Sequence, residues 1–349
     1  MMTAASCGPR AADSIDAAAE EYVALARGVE RRDQRLTGRI AAAHDRVSRL
    51  EARDGRRAFL LAQLRALERR ARFLSGARTS IREEAGALGL SPPPYDGSRA
   101  AALRAELDAV LPGQGLLVDR LAQHRQASAL PRARLDAVSN RLVDECRART
   151  PVPDDLLDAG VELRYVIDRP WPAFTSYRDD GRSTVEIRRD AAWFEADLRR
   201  VLCHETYPGH HLQNLVWDDL RDRRGWVELA VTPAFTPHGA MAERLAVAAT
   251  DLAVPRAERP AVSRILDDLA PLALALAIAT ADGEIARDAG LRRLRDEVLM
   301  PDAGGFLAFV EENRSMAVAY VTPVPGVRDW QTYLALLRSP ERLVGGAVR

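Results

Sequence analysis

The segment LCHETYPGHHLQ, residues 202–213, gathers three of the chain's six histidines, His204, His210 and His211, around Glu205. A histidine followed directly by a glutamate, with more histidine close behind, follows the logic of a zinc hydrolase. Imidazoles hold the ion and the carboxylate activates a water. The spacing is not H-E-x-x-H, because the second histidine comes six or seven places after the first. On an unbroken helix a step of six turns about 240° onto another face, and a step of seven lands about 10 Å further along. Neither shares an ion whose Zn–N bonds are about 2 Å. Pro208 and Gly209 offer a way out. Pro208 cannot donate to the His204 carbonyl and Gly209 tolerates unusual dihedrals, so a helix through AAWFEADLRRVL and His204-Glu205 must kink or bulge there. That break can return His210 or His211 to His204, and spacing does not choose between them. For a third ligand, TPHGAMAERLAVAATDL offers Glu243 on a predicted helix, with His238 in the preceding turn as its rival. Spacing favours Glu243.

These residues need rigid elements around them. Between about residues 13 and 90, EEYVALARGVERRDQRLTGRIAAAHDRVSRL and RAFLLAQLRALERRARFLSG confine apolar residues to one stripe, which predicts amphipathic helices, the second ending near Gly76. The breakers SPPPYDGS, LPGQG and TPVPDD set off further helices at about 99–110, 115–126 and 133–148. VELRYVI (161–167) and STVEIRR (183–189) alternate apolar and polar residues across the turn-rich RDDGR, and predict a small antiparallel β element before the metal-bearing helix. The expected fold is mainly α. Residues 1–150 form an N-terminal helical half and 151–349 a metal-binding catalytic half, together one compact unit around a central cleft.

Composition narrows the partners. The net charge is zero, which argues against nucleic acid or an anionic membrane as the main partner. All fifty basic residues are arginine, so Schiff-base catalysis by a lysine amine is excluded. Three cysteines, Cys7, Cys146 and Cys203, show no C-x-x-C pattern, which predicts no disulfide framework and a reducing cytoplasm. Cys203 reads as a small buried hydrophobe. MMTAASCGPRAADS lacks a basic-then-apolar export signal. The longest nearly apolar run, Leu269 to Ala281, contains Pro271 and is too short to span a bilayer. The expected partner is a peptide or small amide substrate in the cytoplasm.

At HETYPGHHLQ the chain resembles the DUF885 family of bacterial proteins, which are metallopeptidase-like and related to gluzincin-type zinc carboxypeptidases. The resemblance runs from about residue 55 to about 335. It takes in FLLAQLRALERRARFLSGARTSIREEAGALGL, RPWPAFTSY with RSTVEIRRD, and TPAFTPHGAMAERLA. It implies a multi-helix zinc-peptidase-like fold. It also implies His204, His210 and Glu243 as metal ligands, Glu205 as the catalytic glutamate, and His211 as a second common histidine that binds metal, orients a ligand or contacts substrate. Two features depart from the family. Arg244 stands where relatives carry a glycine, beside the ligand carboxylate. AVAYVTPVPG keeps Tyr320, while a further tyrosine common in relatives is missing nearby.

The expected function is a zinc-dependent hydrolase of peptide or amide bonds, with one Zn²⁺ per chain or another divalent metal in its place. Glu205 is the general base. Tyr320 is the first candidate donor to the oxyanion, ahead of Tyr177 and Arg182. By analogy with peptidases that carry a strand beside the metal helix, the strand around Thr184 to Arg188 is expected to be an edge that pairs with an extended peptide. Asp282 and Glu284 are candidates for orienting a ligand histidine, against a plainer reading as a solvated helix start. The competing functions are a non-peptidase metalloenzyme that tailors a small molecule, and a metal-free binding protein.

Overall fold

Apolar residues spaced three and four apart set the architecture. In α1 (Ile15–Glu30), Ala18, Ala19, Tyr22, Leu25, Ala26 and Val29 form one buried stripe, and the Ser14 side chain caps the first turn by accepting from the Ala17 amide at 3.1 Å. The computed structural model describes residues 14–343 apart from 32, 52–54, 170 and 179. The N-terminal stretch and Cys7 lie outside the described residues.

Six more helices follow: α2 (Thr37–Arg49), α3 (Arg56–Leu74), α4 (Ile81–Ala87), α5 (Gly97–Val110), α6 (Leu117–Ser128) and α7 (Leu135–Ala148). Three strands come next, β1 (Gly160–Val166), β2 (Ala173–Arg178) and β3 (Arg182–Arg188). The chain then returns to helix in α8 (Glu195–Glu205), α9 (His210–Arg224), α10 (Pro237–Ala253), α11 (Ala261–Ala281), α12 (Arg287–Glu297), α13 (Ala303–Asn313), α14 (Ser315–Ala319) and α15 (Trp330–Leu337). The fold is mainly α, and the helices expected from periodicity end within a few residues of their predicted limits. Among the described residues no helix is long and apolar enough to cross a membrane.

Three apolar clusters hold these elements. One packs α1–α3 against α9, α10 and α15, joining Tyr22, Phe59 and Leu64 to Trp217, Leu245 and Tyr333. A second packs α4 and α5 against α11–α14. The third lies under the sheet, where Val185 and Ile187 meet Leu142, Leu198 and Leu202. The first two clusters draw side chains from both sides of residue 150, so burial does not separate the sequence halves.

The sheet corrects one expectation. Its order is β1-β3-β2, with β1 parallel to β3 (Gly160 opposite Arg182) and β2 antiparallel to β3 (Ala173 opposite Ile187). The turn through Gly181 joins β3 to β2, not to the first alternating segment. Gly181 has φ +76°, and a Cβ there would meet the Leu157 carbonyl oxygen at 2.3 Å. Alternation reports which face a residue occupies, not which strand it pairs with. The prolines before Ala173 hid β2 from the periodicity. β3, expected to offer an edge around Thr184 to Arg188, is the central strand, and β1 and β2 are the edges.

The cysteines correct a second expectation. Cys146 of α7 and Cys203 of α8, 57 positions apart in sequence, form a disulfide with Cα atoms 5.3 Å apart. Packing of α7 on α8 makes the pair, and no local spacing signals it. Cys203 is fully buried as expected, but as half of a cross-link, so cysteine usage no longer argues for a reducing compartment.

Candidate metal centre

The break at Pro208-Gly209 resolves the helix geometry. α8 ends at Glu205 and α9 begins at His210, so the histidines sit on two helices at an angle rather than on one. The turn is tight. The Gly209 amide donates to the Cys203 carbonyl at 3.0 Å, and a Cβ on Gly209 would lie 1.7 Å from the His204 carbonyl oxygen. Only glycine lets the backbone fold back this closely. Tyr333 of α15, fully buried, donates its hydroxyl to the Pro208 carbonyl at 2.5 Å and latches the turn from the far side.

This turn places the His204 and His210 rings edge to face, 4.7 Å between centroids. Glu243, on α10, completes the group. Its Oε2 lies 3.2 Å from His204 Nε2 and 3.4 Å from His210 Nε2. In a tetrahedral zinc site with bonds of about 2.0–2.1 Å, neighbouring ligand atoms stand about 3.3 Å apart. Ligand atoms of His204, Glu205 and His210 also lie within 4.8 Å of one another. Two imidazoles and one carboxylate, with a further carboxylate alongside, form a donor set that suits zinc.

The hydrogen bonds around His210 fix its tautomer. Gln213 Nε2 donates to the Ala242 carbonyl at 2.9 Å, which turns Gln213 Oε1 toward His210 Nδ1, 3.1 Å away. His210 then donates from Nδ1 and presents the Nε2 lone pair to Glu243. A lone pair facing a carboxylate oxygen requires a cation between them, a proton or a metal ion. Without metal the proton takes that place. Burial pulls the His210 imidazolium down, but the Glu243 carboxylate outweighs it and lifts the group to about 9. Burial likewise raises Glu243, and the His210 and His204 rings overcome it and hold the carboxyl well below its usual range.

Glu205 is 9% exposed and faces the cleft. The Thr175 hydroxyl of β2 lies 2.6 Å from Glu205 Oε2 and 2.8 Å from the Glu205 carbonyl oxygen, so the edge strand orients the expected base. Tyr320 follows α14, with its ring 6.0 Å from that of His204. Tyr320 is 41% exposed, and desolvation by the cleft wall, reinforced by the Glu243 and Glu205 carboxylates, pushes its phenol above the ordinary pKa. It stands there as an O–H donor at neutral pH.

His211 and His238 do not join this group. His211 is fully buried on the other side of the turn. Its Nδ1 is 2.7 Å from Ser183 Oγ, and its Nε2 is 3.1 Å from Asp158 Oδ1 and 3.0 Å from the Tyr207 hydroxyl. Tyr207 donates to Asp158 at 2.7 Å, and Arg147 bridges Asp158 at 3.0 Å. A serine, a histidine and an aspartate in a row echo a hydrolase triad, but Ser183 is fully buried and offers no nucleophile to a substrate. His238 is fully buried between Trp217 and Phe59, with ring centroids 4.4 and 5.5 Å away, and burial pushes it down to about 4. It faces the core because the first turn of α10 presents Gly239, Ala242 and Glu243 to the cleft.

The remaining candidates are placed as follows. Arg244 is buried and turns away from Glu243, donating to the carbonyls of Thr322 at 3.2 Å and Pro323 at 2.5 Å. It ties α10 to the segment after Tyr320 and does not oppose the ligand carboxylate. Tyr177 lines the cleft and donates to Asp218 Oδ2 at 3.0 Å. Arg182 is exposed and outside the cleft. Asp282 accepts from the Ile81 amide at 2.7 Å and Glu284 pairs with Arg82 at 2.8 Å, so both serve the start of α4 and neither touches a ligand histidine. Sequence reasoning missed Gln213, Thr175 and Tyr333. Gln213 was within reach, since it stands three places after His210 at the start of a helix. Thr175 and Tyr333 carry no local signal.

The group opens into a cleft of about 930 Å³ bounded by β2, α8, α9, α10, α11, α13 and α14. No family model matches the chain, and no curated protein matches it. Among solved structures, a candidate lipoprotein from Colwellia psychrerythraea is similar over 87% of this chain, at 15% identity and a TM-score of 0.55. This chain spans 65% of that protein's length. At such identity the likeness concerns the fold alone.

Proposed function

We infer that the protein is a zinc-dependent hydrolase of peptide or amide bonds. The observation that carries this reading is the placing of Glu243 Oε2 at tetrahedral-edge distances from both His204 Nε2 and His210 Nε2, beside Glu205 in an open cleft. The DUF885-like motif agrees with it.

When bound, zinc supplies Lewis acidity, polarising the scissile carbonyl and making water easier to deprotonate. His204, His210 and Glu243 hold it, and Gln213 keeps His210 in the ligating tautomer. Glu205 takes a proton from the attacking water and passes it to the leaving amine. Thr175 holds Oε2, which leaves Oε1 as the basic atom. Tyr320 donates to the developing oxyanion. An extended substrate lies along β2, the edge strand that lines the cleft, and pairs through its backbone. A disulfide such as Cys146–Cys203 persists best outside a reducing cytosol, so cell fractionation is the test of a cytoplasmic placement.

The test is elemental analysis of protein purified without added metal, in parallel with His204→Ala. The expected outcome is about one zinc per chain, lost in the variant. No metal above background, even after zinc is offered at neutral pH, overturns the reading and leaves the metal-free binding protein. With metal present, a library of peptides and amides separates an amide hydrolase from an enzyme that tailors another small molecule.

A further inference from the structure

The cleft around the metal group is asymmetric. On the α9 side its walls carry Tyr177, Asn214, Asp218 and Arg221, with Tyr177 and Arg221 both bonded to Asp218. On the α11–α13 side the lining includes Phe235, Leu274, Met300, Phe306, Phe309 and Met316, with Glu312 and Asn313 at the C-terminal end of α13. Phe306 and Phe309 stack with planes 16° apart, and both remain partly open. Met316 stands one helical turn before Tyr320, so this apolar wall begins one turn from the expected oxyanion donor.

Phe235 adds an independent observation. It adopts φ +63°, a left-handed conformation that is strained for a bulky residue. Its ring lines the cleft while the Arg70 guanidinium packs against it, 3.6 Å from the ring centroid. Two elements, α3 and the 232–236 turn, thus cooperate to hold an aromatic face at the cleft wall where an unstrained chain would place glycine.

We propose that this wall is the substrate-selecting subsite and takes a large apolar side chain, aromatic or long aliphatic, next to the scissile amide. The proposal rests on the hydrolase reading and names its substrate class. An apolar group seated there leaves water on one face while its polar amide stays at Glu205 and Tyr320. Burying one phenylalanine-sized group favours it over glycine by roughly tenfold or more.

The test compares N-acetyl-phenylalanine amide, N-acetyl-leucine amide and N-acetyl-glycine amide. Binding is read by saturation-transfer NMR on chelator-treated protein, and cleavage on the zinc-loaded protein. The first two should bind at least about tenfold tighter than the third, with or without metal. Ala270→Trp fills the mouth of the subsite from an exposed position on α11, and should abolish the preference while metal content stays unchanged. Phe309→Ala should reduce it. Equal binding of all three amides, or a preference that survives Ala270→Trp, overturns the proposal. A metal-independent preference without cleavage keeps the subsite and removes the hydrolase reading. Cleavage without preference does the reverse.

Discussion

His210 and His211 are neighbours in sequence and opposites in environment. His210 faces the cleft, where its Nε2 meets Glu243 beside the His204 ring and a proton or a metal ion lies between the two. His211 faces inward, where Ser183, Tyr207 and Asp158 occupy both of its ring nitrogens. The first region is short of positive charge and open to solvent. The second is saturated and closed. Adjacent side chains at a helix start point to different sides, so one dipeptide faces both the candidate metal centre and the scaffold that holds the turn. The candidate chemistry belongs to the region whose imidazoles and carboxylates converge at the cleft, and stability to the region where buried polar groups partner one another.

Substitutions should separate the two regions, the largest effect coming first. Glu205→Gln should retain metal while turnover falls about 10²–10⁴-fold, the usual contribution of a positioned acid–base group. Equal turnover in the variant would remove Glu205 from the chemistry. In the closed region, Asp158→Ala leaves Arg147, Tyr207 and His211 without their common acceptor, and should cost about 3 kcal/mol in denaturant unfolding. If instead it stripped metal at unchanged stability, the two regions would not be distinct.

The pH dependence sharpens the same contrast. Burial raises the Asp158 carboxyl, but hydrogen bonds from His211 and Tyr207 outweigh it and hold the group at about 2, below the ordinary 3.8. The folded state therefore binds the proton less readily than the unfolded chain. This stabilisation, about 2 kcal/mol, is complete above the ordinary value and is lost as pH falls through about 2. Acid unfolding followed by circular dichroism should show this step, and Asp158→Asn should remove it.

Thr175→Val tests the link from β2 to the open region. Loss of the hydroxyl should lower turnover roughly tenfold with metal content and stability nearly unchanged, because one hydrogen bond to a charged group is lost. A matching loss of stability would make Thr175 a packing residue. Smallest of all, Glu284→Ala should change turnover not at all and stability by no more than about 0.5 kcal/mol, since its pair with Arg82 is exposed.

Much of this was legible locally. The helices follow from apolar spacing and breakers, and the need for a break at Pro208-Gly209 follows from helix geometry. The gathering of His204 and Glu205 with one of His210 and His211, and the favouring of Glu243 over His238, needed only sequence distance and residue type. The misreadings share a cause. The parallel sense of β1 on β3, with β2 along the other side of β3, and the Cys146–Cys203 bond all depend on residues far along the chain. Periodicity carries no information about those partners.

By itself, then, the amino-acid sequence determined a mainly helical chain with a metal-ligand vocabulary concentrated at one forced break, because helix propensity, proline and glycine act over a few residues. Tertiary structure decided which of two adjacent histidines meets Glu243 and which edge of the sheet borders the cleft. It also decided that Thr175, Gln213 and Tyr333 hold the site in place. Those choices come from packing α8, α9, α10 and β2 against one another, and the orientation of a buried side chain is set by all the neighbours it must satisfy at once.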